Sequence, residues 1–321
     1  MIKVGITGAH TSDSGELIRI LAMHPDVEIV WAVAPGFEGK PLTSVHHGLI
    51  GETTLCFTAS GDVSQCDVLF ICTPVSNSEL ARVRATKPDM RIIMLEVPAD
   101  MECAPFEFDD AQEEVDPQHE GVVYGLPEIN RKPLVRGARV ASVPEPFASM
   151  ALVALYPFAS HLLLNSDIRI EISAPEAIID STDLGRVRSQ VVEQLTGVQK
   201  SFAGNVEITT TPSEARRSTL MNISFGCALN LQQMLDLYVV YDDHRFSFVT
   251  TSPVGVSEVA GTNKCVITVA KSDPEHSALG VAADCRLRGG AGEAVHIMNL
   301  MCGLHEKTGL NLKAIDFEKI V

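Results

Sequence analysis

The sequence predicts an α/β fold: a Rossmann-type, doubly wound parallel sheet carrying an inserted α+β second domain, with a C-terminal helix that returns to the first. Three observations predict it. Apolar runs alternate with helical patterns through the first part of the chain, as parallel sheets require. A glycine-bearing turn, GITGAH, follows the first apolar run. Beyond Asn165 the texture changes to longer strand-like runs with few helices between them. The implied boundaries are residues 1–146 plus 289–321 for the first domain and 147–288 for the second.

In chain order the first domain reads as the strand KVGITGA, a helix over 14–23, the strands VEIVWAVA, TLCFT and VLFICTP, a helix over 76–86, and the strand RIIMLEVP. A polar, acidic stretch over 101–118 interrupts the alternation, which resumes at VVYGLPEIN and RVASVP. The apolar run over 148–159 has the length of a core helix and falls short of the ~20 residues that cross a bilayer. The second domain continues with DIRIEISA, VEITTT, STLMNISFGCAL, FSFVTTS, KCVITVAKS and SALGVAADCRL, and with helices over 183–195 and 230–241. Long strands in sequence succession indicate a largely antiparallel sheet. The last helical pattern, 292–304, follows a glycine-rich turn.

Composition narrows the function. The chain has 321 residues, a formal net charge of −16 and no Lys/Arg patch, so phosphate backbones and anionic membranes are repelled. Neither nucleic acid nor membrane is an expected partner. The N-terminus enters a strand directly, without the features of a secretory signal, and a cytoplasmic location is expected. Eight cysteines, at 56, 66, 72, 103, 227, 265, 285 and 302, lack any CxxC or short Cys/His spacing. They read as reduced core thiols, and no metal site is expected.

Gly5, Gly8 and Thr11 occupy the strand-to-helix turn where a dinucleotide fingerprint belongs, since glycines let backbone approach a pyrophosphate at a helix N-terminus. They are the candidate cofactor contacts. The spacing is G-x-x-G, with Thr11 where a third glycine is expected. The second strand ends in Val33-Ala34-Pro35-Gly36, which offers no side-chain group to an adenosine ribose.

Four segments together resemble the N-acetyl-gamma-glutamyl-phosphate reductases of arginine biosynthesis, within the wider semialdehyde dehydrogenase group. They are KVGITGAHTSDSGELIRILAMHPDVEIV, VVYGLPEINR, GTNKC and RGGAGEAVHIMNLMCGLHEKTGL. The resemblance implies NADP as cofactor, and dimers or tetramers formed through the inserted domain. It also implies a cysteine at a helix N-terminus, in a pattern like N-P-G-C-Y-P-T, that attacks the acyl phosphate and forms a thioester for NADPH to reduce. A histidine in an H-x-H-x-P-E segment would serve as acid/base.

This chain departs from that pattern where the chemistry resides. VPEPFAS places Pro146 at the nucleophile's position and Glu145 before it. Proline carries no nucleophile, and Glu145-Pro146 reads as a helix start favoured by the fixed φ of proline and by the helix dipole. The histidine position falls on Thr210. The glycine-rich loop of the second domain is replaced by ISAPEAIIDST, and G-Q-A-x-Q-N reads Gly292-Glu293-Ala294-Val295-His296-Ile297. Elsewhere, His24, His161 and His305 fall near helix ends, and His244 and His276 in turns, positions that suit capping or solvent contact. The expectation is a catalytically silent relative that binds or assembles, alone or with an active reductase paralogue. Two alternatives stand beside it: an active NADP-dependent reductase with Cys72, at the end of VLFIC, as displaced nucleophile, and another enzyme that reuses the cleft with Glu145 as acid/base.

Overall fold

The computed structural model describes residues 1–96, 103–104 and 121–315, with 103–104 described by backbone alone. The acidic stretch over 101–118 lies outside the described residues apart from 103–104, as does the side chain of Cys103. Two compact units are formed. Among the described residues, the first holds 1–96, 103–104, 121–143 and 290–311, and the second holds 144–289 and 312–315.

The first unit is a parallel sheet built from β1 (Ile2–Thr7), α1 (Ser12–Leu21), β2 (Val27–Val33), β3 (Val68–Ile71), α2 (Asn77–Thr86), β4 (Arg91–Met94), β5 (Cys103–Ala104), β6 (Val122–Tyr124), α3 (Pro127–Val135) and β7 (Val140–Ser142). The strand order is β2-β1-β3-β4-β7-β6-β5, and every neighbouring pair is parallel. The strands are short and apolar because helices cover both faces, which removes the polar alternation of a half-exposed sheet. Val68, Leu69, Phe70 and Ile71 of β3 are all buried. Local signals set the helix starts. Thr11 accepts from the Ser14 N–H at 3.2 Å to cap α1, and Ser76 with Glu79 forms a capping box on α2. The stretch TLCFT does not form a strand. It makes only single bridges, Thr58 with Val33 and Cys56 with Pro41, and its one deep anchor is the buried Phe57.

The second unit comprises α4 (Pro146–Ser160), β8 (Ile168–Pro175), α5 (Glu176–Ser181), α6 (Leu184–Val198), β9 (Val206–Ser213), β10 (Ser218–Gly226), α7 (Leu231–Leu237), β11 (Ser247–Thr250), β12 (Cys265–Asp273) and β13 (His276–Asp284). Its sheet runs β11-β12-β13-β10-β8-β9. The four central strands are antiparallel and each edge strand is parallel to its neighbour. One face packs on α4, where Phe158 meets Phe225 edge-on at 4.9 Å. Helix α4 is the core helix expected from the apolar run, buried from Phe147 to Ala159. Pro157 has no N–H to give the Val153 carbonyl, and the Tyr241 hydroxyl donates to that oxygen instead, at 2.7 Å. ISAPEAIIDST, which stands where the resemblance expects a glycine-rich loop, is the end of β8 followed by α5.

The last helix, α8 (Ala291–Met301), lies in the first unit against α1, α3 and β4 and is buried throughout. Residues 312–315 lie with the second unit, whereas the expected division kept the whole C-terminus with the first.

Candidate functional site

The junction between β7 and α4 is the position to which the resemblance assigns a nucleophile. Pro146 is the first residue of α4, where its missing N–H costs nothing. Glu145 precedes it as the N-terminal cap residue, yet its carboxylate caps no backbone group. It turns instead to Arg186 of α6, whose Nε lies 3.3 Å from Oε1. One turn further along α6, Gln190 accepts the Glu145 backbone N–H at 3.0 Å. The expected capping role is therefore replaced by an ion pair that ties the junction to α6.

Behind the junction, the backbone of Gly289 lies on Pro146, and a β-carbon at residue 289 would sit 2.4 Å from the Pro146 Cα. Ser149, the nearest hydroxyl in α4, is buried and accepts from the Nε of the buried Arg288 at 3.0 Å. Phe147 and Ala148 complete the helix start without a reactive atom. Arg288 follows a turn built on Asp284, which is buried and accepts the backbone N–H groups of Gly261 at 2.7 Å and Arg286 at 3.0 Å. Asp284 also pairs with Arg217. Burial pushes the Asp284 carboxyl up, against the pull of Arg217 and the Gly261 N–H.

The other candidates are dispersed. Thr210 lies on the edge strand β9, half-buried and opposite Ile172. Cys72 lies in the first unit, 2% exposed, where burial pushes its thiol far above the ordinary range with Asp13 and Glu96 adding to the effect. The neutral thiol that results is a poor nucleophile. His161 caps α4, its Nδ1 2.8 Å from the Pro157 carbonyl oxygen. His24 is buried rather than exposed and meets Asn299 at 3.1 Å.

The glycine turn keeps part of a dinucleotide-binding backbone. Gly8 has φ +66°, a conformation few other residues adopt. Gly5, however, is a strand residue rather than a turn residue. It lies opposite Trp31 in the β1–β2 ladder, and a β-carbon there would meet the indole at 2.3 Å. Its small size serves packing. Thr11 caps α1 with its own side chain, so one amide of the helix N-terminus is already satisfied.

Two features missed from the sequence crowd this turn. His46 lays its ring on Gly15 and meets the Ala9 carbonyl oxygen at 2.7 Å, and His10 stacks on Phe37 at 5.8 Å. Asp13 stands in the first turn of α1. Beyond β2, the exposed Glu38 accepts the Gly36 N–H at 2.9 Å, a bond that holds its carboxyl below the usual range. Lys40 sits over the Phe37 ring at 5.1 Å. The carboxylates of Asp13 at the start of α1 and of Glu38 beyond β2 are poor partners for the phosphates of a dinucleotide.

A buried ionic cluster on α8 forms the third arrangement. His296, 1% exposed in its side chain, has Nε2 2.9 Å from Glu306 Oε2 and Nδ1 3.4 Å from Glu293 Oε1. Glu306 also pairs with Arg131 of α3. The i, i+3 spacing of Glu293 and His296 was visible in the sequence, whereas Glu306 and Arg131 arrive through the fold.

Comparison with known proteins fits this geometry. Residues 3–136 match the family described as semialdehyde dehydrogenase, NAD binding domain. The N-acetyl-gamma-glutamyl-phosphate reductase of Parabacteroides distasonis is 32% identical over 99% of this chain and 100% of its own length. That of Phocaeicola vulgatus is 30% identical with the same coverage. Among solved structures, aspartate semialdehyde dehydrogenase II of Vibrio cholerae, complexed with ASA, superposes with a TM-score of 0.65 at 15% identity, covering 94% of this chain and 98% of that one. The aspartate semialdehyde dehydrogenase of Candida albicans with NADP gives 0.64 at 11% identity, covering 94% and 98%. The structural likeness shows the fold, and the full-length sequence likeness shows the lineage: the chain belongs to the N-acetyl-gamma-glutamyl-phosphate reductase family.

Proposed function

We propose that this chain is a catalytically silent member of its family, with weak or no NADPH binding, that acts as a binding or assembly protein. The observation that carries this reading is Pro146 as the first residue of α4 with Gly289 packed on it. A thioester needs a thiolate, and no side chain at this helix start supplies one. The electrostatics support the same reading, since Asp13 at the start of α1 and Glu38 beyond β2 bring negative charge to this end of the sheet.

The two alternatives find less support. Cys72 would have to ionise against burial, and Glu145 would have to leave Arg186 before acting as a base. Self-association, as a dimer or tetramer or with an active reductase paralogue, is supported by the second sheet. Phe248, Val266, Ala278 and Leu220 share the face opposite α4, and Phe248 is 40% exposed. Among the described residues no helix is long and apolar enough to cross a membrane, which is compatible with a place in the cytoplasm.

The deciding experiment is NADPH-dependent reduction of N-acetyl-gamma-glutamyl phosphate by the purified chain. The expected rate equals the protein-free background. A rate above background that survives further purification and is lost in Cys72→Ser would establish the displaced-nucleophile reading instead. Light scattering on the same sample tests assembly, with a monomer at all concentrations counting against it.

A further inference from the structure

Glu293 and His296 place an acid and a base at i, i+3 on the buried helix α8, where the resemblance implies two neutral amides. Both sit in the first unit, 0% and 1% exposed in their side chains. A lone buried charge is costly, and a histidine between carboxylates offsets that cost only while it carries its proton. The surroundings supply the partners. From the segment that follows α8, Glu306 meets His296 Nε2 at 2.9 Å. From α3, Arg131 pairs with Glu306, and the buried Glu128 adds negative potential at His296. From β4, Arg91 donates to the Met301 carbonyl at 2.6 Å, and from the end of α1, His24 meets Asn299.

We propose that Glu293, His296 and Glu306 form a proton-dependent latch: with His296 protonated, the segment 302–311 is held to α8 and α3, and with His296 neutral it is released. Other ties flank this contact: the Leu304 N–H donates to the Asn299 carbonyl at 2.8 Å, Gly309 lies on the His24 ring, and Leu310 is buried. Asn299 Nδ2 donates to the Glu306 and Thr308 carbonyls at 3.1 and 2.8 Å, which places the Glu306 contact at the centre of its attachment. Burial alone would lower the His296 pKa, but the contacts to Glu293 and Glu306 outweigh it and raise the value above the ordinary one. Glu306 shows the matching effect. Burial works to raise its pKa, while His296 and Arg131 bring it down to about 2.

The sign follows from linkage. A histidine whose folded pKa exceeds its unfolded value contributes stability that is fully present below the unfolded pKa and lost as pH rises through the folded one. The latch therefore opens on the alkaline side. The test is hydrogen exchange of the 302–311 amides on the full chain between pH 6 and 10, with an NMR titration of His296. His296 is expected to titrate above 6.5, and protection of these amides to fall roughly tenfold per pH unit above that pKa, the slope set by one proton. In the double variant Glu293→Gln, His296→Gln, which puts neutral amides at both positions, protection is expected to stay level over the same range. Titration of His296 at or below 6.5 overturns the latch, and so does pH-independent protection in the wild type. The two wild-type measurements stand if the double variant fails to fold.

Discussion

Gly289 rests on Pro146: a β-carbon at 289 would lie 2.4 Å from the proline Cα and 2.8 Å from its nitrogen, and Gly289 holds φ +66°. Both restrictions act on one residue. Gly289→Ala must move backbone and strain φ at once, and is expected to cost at least about 2 kcal/mol. Urea denaturation measures it. A loss within 0.5 kcal/mol, roughly the range of an innocuous surface change, would mean that the contact yields easily.

Pro146→Cys tests whether a thiol alone restores the family's reaction. The new cysteine would stand at a helix N-terminus, which favours its thiolate. Beside it remains the Glu145 carboxylate, and the position to which the resemblance assigns a histidine holds Thr210, on the edge strand β9. The variant is expected to fold and to show no NADPH-dependent reduction of the acyl phosphate. Turnover more than roughly tenfold above background, the change produced by lowering a barrier by about 1.4 kcal/mol, would show that the single replacement silenced the site.

Glu145 and Arg186 are 24% and 27% exposed in their side chains, so solvent screens much of their attraction. A double-mutant cycle with Glu145→Gln and Arg186→Gln is expected to give a coupling of about 0.5–1 kcal/mol that shrinks with added salt. Zero coupling would mean that the contact carries no energetic weight and would leave Glu145 available as a base.

What could be read from the sequence was mainly local. Pro146 starts a helix because proline's own φ suits that position, and the apolar run over 148–159 is too long and uniform to be anything but a core helix. What could not be read arrives from distant residues. Gly5 looked like a phosphate contact because nothing in GITGAH reveals that Trp31 will lie opposite it. Glu145 looked like a cap because Arg186 is far along the chain, and His296 acquires Glu306 only when the chain turns back past the end of α8. TLCFT has strand composition, but composition does not guarantee a ladder, and its neighbours give it two bridges.

Cysteine reactivity separates the silent reading from the displaced-nucleophile reading without an assay for turnover. Burial pushes Cys66 up to about 11 and Cys285 up to about 12, and Cys72 higher still, whereas Cys56 is exposed. Thiolate fraction and access both set alkylation rate. In native protein near pH 8, iodoacetamide is expected to modify the peptide carrying Cys56 and leave Cys72 untouched until denaturant is added. Rapid native labelling of Cys72 would restore it as a candidate nucleophile.

Pro157 leaves the Val153 carbonyl without its helical donor, and the Tyr241 hydroxyl fills that place from 2.7 Å. Tyr241→Phe removes the donor while keeping the ring, and is expected to cost about 1–2 kcal/mol, the penalty of a buried carbonyl left unbonded. In a Pro157→Ala background the alanine N–H can bond Val153, so the same Tyr241→Phe change is expected to cost less than half as much. The comparison needs four melting curves. Equal costs in the two backgrounds would show that the hydroxyl's contribution is independent of the missing helical bond and that it does not stand in for that bond.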